Sequence, residues 1–264
     1  MLDEPRSGRL AAWGNALLAG LAAPDDVAQR IIGGDAVHRM VDLPGEHGPV
    51  GLTLGLGRLR ALGVTGLRLA LPVAGHPLGL SGPPHFNDLA LEAGEAVLTA
   101  GAVALGLVPD VHEAGPAGDV HVEVEWRCLP VREAPPADVP SLGEAERELA
   151  EALRDATAAL AALDVAGTGG PTAHAALEAY RARAARGREV LAPGYPPRAV
   201  RVLELAQRVA ALVEIAEVDG HGAAVSASQI AARAQLLRPV ERTARRAQVA
   251  AYNAYVEEAE RRRP

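Results

Sequence analysis

Ser81, His85 and Asp88 stand within one short segment, Gly75–Asp88, and are the residue types of nucleophilic catalysis: a hydroxyl, a base and a carboxylate to hold the base. The same segment carries His76, Asn87 and the sole phenylalanine, Phe86, among several glycines and prolines. His76, His85 and Asn87 are candidates for contact with a ligand, because loops on a rigid scaffold are where binding residues tend to sit. Ser81 has no G-x-S-x-G elbow around it, and spacing alone does not put three such neighbours into triad geometry. A structural role competes: Asn87 and Asp88 can cap a helix beginning at Leu89, with Phe86 as its apolar anchor.

His121, Glu123 and Glu125 form a second constellation. They alternate with Val120, Val122, Val124 and Trp126 up to Cys128, the pattern of a strand with one wet face. Zinc or iron accepts histidine with carboxylates. Successive groups on one strand face are roughly 7 Å apart, so a metal would need a donor from a neighbouring strand, and His112 is the nearest in sequence. A solvated sheet face is the simpler reading, and neither metal nor cofactor is expected. Cys128 is the only cysteine, which excludes an intrachain disulfide and multi-cysteine metal centres.

All 26 basic residues are arginine. The absence of lysine excludes Schiff-base catalysis and a Walker-type phosphate loop. Gly167–Gly170 resembles a phosphate cradle only in composition, and Gly55-Leu56-Gly57 lacks the third glycine of a dinucleotide fingerprint because Arg60 holds that place.

The net charge of −7 is unevenly distributed. Residues 1–133 hold 16 acids against 9 arginines, whereas residues 134–264 hold 17 of each. An acidic first half argues against phosphate recognition there. Within the second half, residues 141–179 carry 7 acids and 2 arginines, and residues 180–264 carry 9 acids and 15 arginines. Arg181, Arg183, Arg186, Arg188, Arg242, Arg245 and Arg246 could together face a nucleic acid. The reading favoured here is that later helices neutralise an acidic first helix, with no nucleic acid involved. No stretch approaches the ~20 apolar residues needed to cross a bilayer. The opening MLDEPRSGRL carries acids where a secretory signal has basic residues, so a cytoplasmic, membrane-free protein is expected.

These residues must be positioned by elements, and the hydrophobic period changes once along the chain. Arg6–Leu21 and Asp25–Ile32 read as helices, the second stopped by Gly33-Gly34, and Ala36–Leu43 as a strand. Val50–Leu62 fits both periods and is read as helix. Leu67, Leu69, Leu71 and Val73 mark one face of a strand. Glu95–Ala100 and Ala102–Val108 add two apolar runs, and closely spaced strands favour an antiparallel meander. Three prolines in Ala134–Pro140 then form a boundary. Beyond it Ser141 and Glu144 make a capping box and the period becomes helical. Helices are expected from Leu142 to about Leu163, over 172–185, from Pro197 to 216, and from Ala227 to about Glu260 with a kink at Pro239, the last capped by Ser226 and Gln229. The expected fold is therefore α+β: residues 1–133 with a small, mostly antiparallel sheet and short helices, a linker at 134–140, and an all-α up-down four-helix bundle over 141–264.

The segments LRLALPVAGHPLGL (67–80), PSLGEAERELAEALRDATAAL (140–160) and LAPGYPPRAVRVLELAQRV (191–209) resemble those of Ala/Arg-rich, uncharacterised proteins common in high-GC actinobacteria. The resemblance covers most of the chain. It implies a stably folded product and carries over no catalytic residue. From the residues themselves, the expected function is a non-enzymatic cytoplasmic interaction or scaffold protein that meets a protein partner or itself. The alternatives are an enzyme or small-ligand binder with its site at the 75–88 loop, and nucleic-acid binding through the arginine-rich C-terminal helices.

Overall fold

The computed structural model describes residues 4–116, 119–133, 136–162, 191–223 and 227–262. In chain order these form α1 (Arg6–Leu18), α2 (Pro24–Ile32), β1 (Val37–Val41), β2 (Val50–Gly51), α3 (Leu52–Ala61), β3 (Val64–Ala70), α4 (Pro84–Ala93), β4 (Ala96–Gly101), β5 (Leu105–Ala114), β6 (His121–Pro130), α5 (Leu142–Ala162), α6 (Pro197–Ala223) and α7 (Ala227–Arg261). The class is α+β. Every strand among the described residues precedes residue 131.

The chain divides into two compact units. One contains the whole sheet and comprises Glu4–Val139, Leu191–Pro196 and Tyr252–Pro264. The other comprises Met1–Asp3, Pro140–Val190 and Pro197–Ala251. The last turns of α7 thus belong with the sheet.

The six strands are ordered β2-β1-β6-β5-β4-β3. β3 to β6 form the antiparallel meander read from their spacing, with α4 inserted between β3 and β4. The sheet as a whole is mixed, because β1 runs parallel to β6, His38 lying beside Val124 and Met40 beside Trp126. That pairing joins segments more than 80 residues apart and leaves no mark on local hydrophobic rhythm.

Alternation along the strands sends residues to two faces. On one face Leu67, Leu69, Leu107, Trp126 and Met40 are fully buried. α1 and α3 pack on this side. Close approach is what their glycines permit: a Cβ on Gly14 would sit 2.5 Å from Leu67 Cδ1, and one on Gly55 would strike Met40 Sδ. On the other face Ala70, Ala96, Leu98 and Val108 form a core with Leu80, Phe86 and Ala90. Phe86 and Ala90 are one turn apart on α4, so the lone phenylalanine anchors that helix as expected. The helix begins at Pro84 rather than Leu89, because proline is well tolerated in a first turn where its missing N–H is no loss.

In the other unit, Ser141 and Glu144 make the capping box read from sequence: Glu144 Oε2 accepts from the Ser141 N–H at 2.9 Å and from its hydroxyl at 2.7 Å. α5 packs on α6 and buries Leu142, Ala145 and Leu149, while α6 buries Ala199, Val202, Leu203 and Ala206. Among the described residues, Arg198–Glu146 at 2.6 Å and Arg246–Glu148 at 3.3 Å pair across helices. α7 continues through Pro239. The helix expected over 172–185, the turn at 167–170, Ser226 of the second capping box and Arg181, Arg183, Arg186 and Arg188 lie outside the described residues. Among the described residues no helix is long and apolar enough to cross a membrane.

Candidate functional site

The segment 75–88 is not one loop, and its candidate residues go to different places. His76 is buried, forms an isolated bridge with Val73, and its Nε2 lies 2.5 Å from Asp138 Oδ2. His85 and Asp88 are exposed on α4. Ser81 Oγ is buried with no hydrogen-bond partner among the described residues, so neither His85 nor Asp88 reaches it and these three form no triad. Asn87 does not cap a helix start; its Oδ1 accepts from the Gly82 N–H at 3.0 Å and folds the preceding turn onto α4.

The strand constellation is also dispersed. His121 is exposed at the start of β6, opposite Ala114. Glu123 accepts from Arg39 at 3.1 Å across the β1–β6 pair. Glu125 lies in register between Asp110 and Arg39. His112 does come opposite Glu123, the neighbouring-strand position a metal would require, but its Nε2 turns to Asp110 at 3.5 Å. Among the described residues no three His, Cys, Asp or Glu side chains converge as a metal set. The face is a lattice of charge pairs, completed by Arg127–Asp110 at 3.0 Å.

A buried polar network that sequence reading missed lies in the same unit. Asp35 accepts a two-pronged bond from Arg6 (2.9 Å from both Nε and Nη2), a third from Arg9 at 3.0 Å and a fourth from His38 Nε2 at 2.9 Å. Burial alone would raise the Asp35 pKa, but the bonds from Arg6 and His38 outweigh it and hold the carboxyl at about 2. His38 Nδ1 accepts from the Trp126 indole N–H at 3.3 Å. The proton is therefore on Nε2, and the ring is a neutral strut. Burial lowers the His38 pKa against the pull of Asp35. An Asp–His pair normally suggests a general base, but here the nitrogen that would take a proton is capped by Trp126.

Other buried polar groups are spent the same way. The α1 start has Pro5 where a capping side chain would stand, and Glu95 supplies the missing acceptor to the Ser7 N–H at 2.8 Å. Glu4 accepts from the Tyr252 hydroxyl at 3.3 Å, and its burial raises its carboxyl to about 7 despite Arg9. Burial, aided by Asp42, pushes the Cys128 thiol up to about 12, leaving almost no thiolate at neutral pH. Native protein should accordingly resist Ellman's reagent or iodoacetamide and take up one label per chain only when unfolded.

β3 is an edge of the sheet, and an open edge exposes unpaired N–H and C=O groups. Two asparagines close it. Asn15 of α1 accepts from the Leu67 N–H at 2.7 Å and donates to the Leu67 carbonyl at 2.9 Å. Asn253 of α7 does the same for Leu69, at 2.7 and 3.1 Å. Each carboxamide imitates one residue of a seventh strand. Tyr195 locks the arrangement, accepting from Asn15 at 3.3 Å and donating to the Tyr252 carbonyl at 2.9 Å. Tyr252 is fully buried and Tyr255 packs against Tyr195 in a tilted pair, with ring centroids 5.4 Å apart.

A cleft of about 440 Å³ opens on this unit. Arg68, Leu98 and Ala100 line it from β3 and β4, the 101–104 hairpin and Val131–Glu133 flank it, and Gly79, Ser81 and Glu260 complete it. Gly101 turns the hairpin at φ 133°, and a side chain there would run into the Gly63 carbonyl. Thr99 fixes the tip, its hydroxyl donating to the Val103 carbonyl at 2.7 Å and accepting from the Leu105 N–H at 2.9 Å. Ser81, a candidate residue from sequence, thus borders this cleft.

Fold and site together define an α+β protein of two compact units, one built on a six-stranded mixed sheet with asparagine-closed edge and a lateral cleft. The chain belongs to the Rv1486c-like protein family: the model of its N-terminal domain matches residues 7–141 and that of its C-terminal domain residues 143–249. It is 33% identical over 237 residues to the uncharacterised protein Rv1486c of Mycobacterium tuberculosis H37Rv, covering 78% of this chain and 81% of the relative. It is 30% identical over 294 residues to the uncharacterised protein ML1804 of Mycobacterium leprae, covering 95% and 97%. The resemblance to uncharacterised actinobacterial proteins is thereby shown. No solved structure matches the chain.

Proposed function

We propose that the protein is a non-enzymatic interaction or scaffold protein of the cytoplasm, working through a protein partner or a second copy of itself. The observation that carries this reading is the fate of the groups able to do chemistry. His38 has both ring nitrogens engaged, Ser81 Oγ has no base within hydrogen-bond reach among the described residues, and Cys128 is held as a thiol. The helical unit is read as an all-α up-down bundle, supported by the packing of α5 on α6 and by the two cross-helix ion pairs. Those pairs also favour internal neutralisation over nucleic-acid binding, since Arg198, Arg245 and Arg246 each meet a carboxylate of their own chain.

Purified protein assayed against a panel of ester, phosphoester, amide and glycoside substrates should show no turnover. Turnover that disappears in Ser81→Ala would overturn the reading. Fluorescence anisotropy with duplex and single-stranded oligonucleotides should show no binding even at low salt, whereas binding that weakens steeply as salt rises would establish the nucleic-acid alternative. The small-ligand alternative is favoured by a separate observation, the cleft beside Ser81.

A further inference from the structure

We propose that this cleft binds small organic carboxylates on Arg68, in competition with the protein's own Glu260. Arg68 stands on β3, and its side chain is only 18% exposed. A guanidinium offers five N–H donors in a planar fork suited to two-pronged carboxylate recognition. Among the described residues Arg68 uses one of them, from Nη2 to Glu260 Oε1. The fork is therefore half-engaged and borders a cavity.

The group already seated on Arg68 states the chemistry the position accepts. Glu260 comes from the last turn of α7, and its side chain is 45% exposed, so water and salt screen the pair and a ligand can displace it. Leu98, Ala100 and Val131 line the same cleft and give an apolar body somewhere to lie. Its volume of about 440 Å³ falls within the range of small-molecule pockets, roughly 300–1,000 Å³. Arg132, exposed and without an ion pair among the described residues, stands at the rim beside Glu133. One sheltered guanidinium beside a partly apolar lining suits a monocarboxylate with a short aliphatic or aromatic body better than a phosphate, which carries more charge and no apolar part.

The test is calorimetric titration of the full chain with hexanoate, benzoate and inorganic phosphate at low ionic strength, with amide chemical shifts of Ala100 and Ala102 as a local readout. Hexanoate or benzoate should bind saturably and move both amides. Glu260→Gln should bind about five-fold tighter, the scale of a screened ion pair removed from competition. Arg68→Gln should lose binding, and Arg68→Lys, which keeps the charge without the fork, should weaken it, with each variant's fold checked by circular dichroism. Failure of both carboxylates to bind Glu260→Gln, or equal binding by Arg68→Gln or Arg68→Lys, would overturn the site. Phosphate binding as tightly as the carboxylates would overturn the ligand class.

Discussion

Asn253→Leu should destabilise the protein by about 2–6 kcal/mol, because the Leu69 N–H and C=O both lose their partner and each buried orphan costs about 1–3 kcal/mol. Leucine keeps the branching of asparagine, but its methyls cannot approach the Leu69 N–H and C=O as closely as the amide's 2.7 and 3.1 Å, so the loss includes a steric part beside the lost hydrogen bonds. Asn15→Leu should cost a similar amount at Leu67. The two sites are two residues apart on one strand and share Tyr195 through Asn15 and the Tyr252 carbonyl, so the double variant should depart from simple additivity. Urea unfolding measures all three. A second consequence separates edge closure from ordinary packing: the variants should aggregate with concentration, since the freed edge can pair with another copy. A loss below 1 kcal/mol would show that water or backbone movement replaces the amides.

Asp35→Asn should cost about 1–3 kcal/mol, because the part-buried Arg6 and Arg9 lose the carboxylate they bond and keep the attraction of Glu95 and Glu4. The acid response gives the same residue a distinct signature. Asp35 has its folded pKa depressed to about 2, so its contribution is complete above the unfolded carboxylate range and is lost as pH falls toward 2. His38, lowered by burial, adds a loss in the same direction as pH drops below the unfolded histidine value of about 6.5. Wild-type melting temperature should therefore fall from about pH 5 to pH 2, and Asp35→Asn should show a flatter acid limb from a lower plateau. Parallel curves for the two proteins would mean that other carboxylates govern acid unfolding.

The elements that sequence made legible are those whose packing imposes a local rhythm. β3 alternates because one side meets α1 and α3, β6 alternates between a buried face carrying Val124 and Trp126 and a face of charge pairs, and the Ser141–Glu144 box is readable because its partners are three residues apart. β5 runs on past Val108 to Ala114, through Pro109, a residue that reads as a stop. The start of α4 was hidden by Pro83 and Pro84, although a proline followed by apolar residues one turn apart is itself a helix-start signal.

The polar interior was the least legible part. Asn15 looks like an interruption of an apolar run and Asn253 like a neighbour of two tyrosines, yet both are almost fully buried and mark the strand edge. A lone carboxamide within an apolar helical stripe was the available signal, since such a group must find a partner. Their targets, Leu67 and Leu69, lie 52 and 184 residues away, and no periodicity spans that distance. Asp35, Arg6, Arg9 and His38 lie within a few dozen residues of one another, but only the β1–β6 pairing brings Trp126 to His38 and shows the imidazole to be a strut.

His38 has both ring nitrogens committed to the sheet, Nε2 to Asp35 and Nδ1 to Trp126 across the β1–β6 pair. Nitrogen-detected NMR of the imidazole across pH 5–8 measures this commitment directly. The ring should be neutral and protonated on Nε2 at pH 7–8 and take up its second proton only below the ordinary value of about 6.5, with the Trp126 indole proton protected from exchange. A ring that takes up a proton at or above the ordinary value of about 6.5, with a freely exchanging indole, would contradict it.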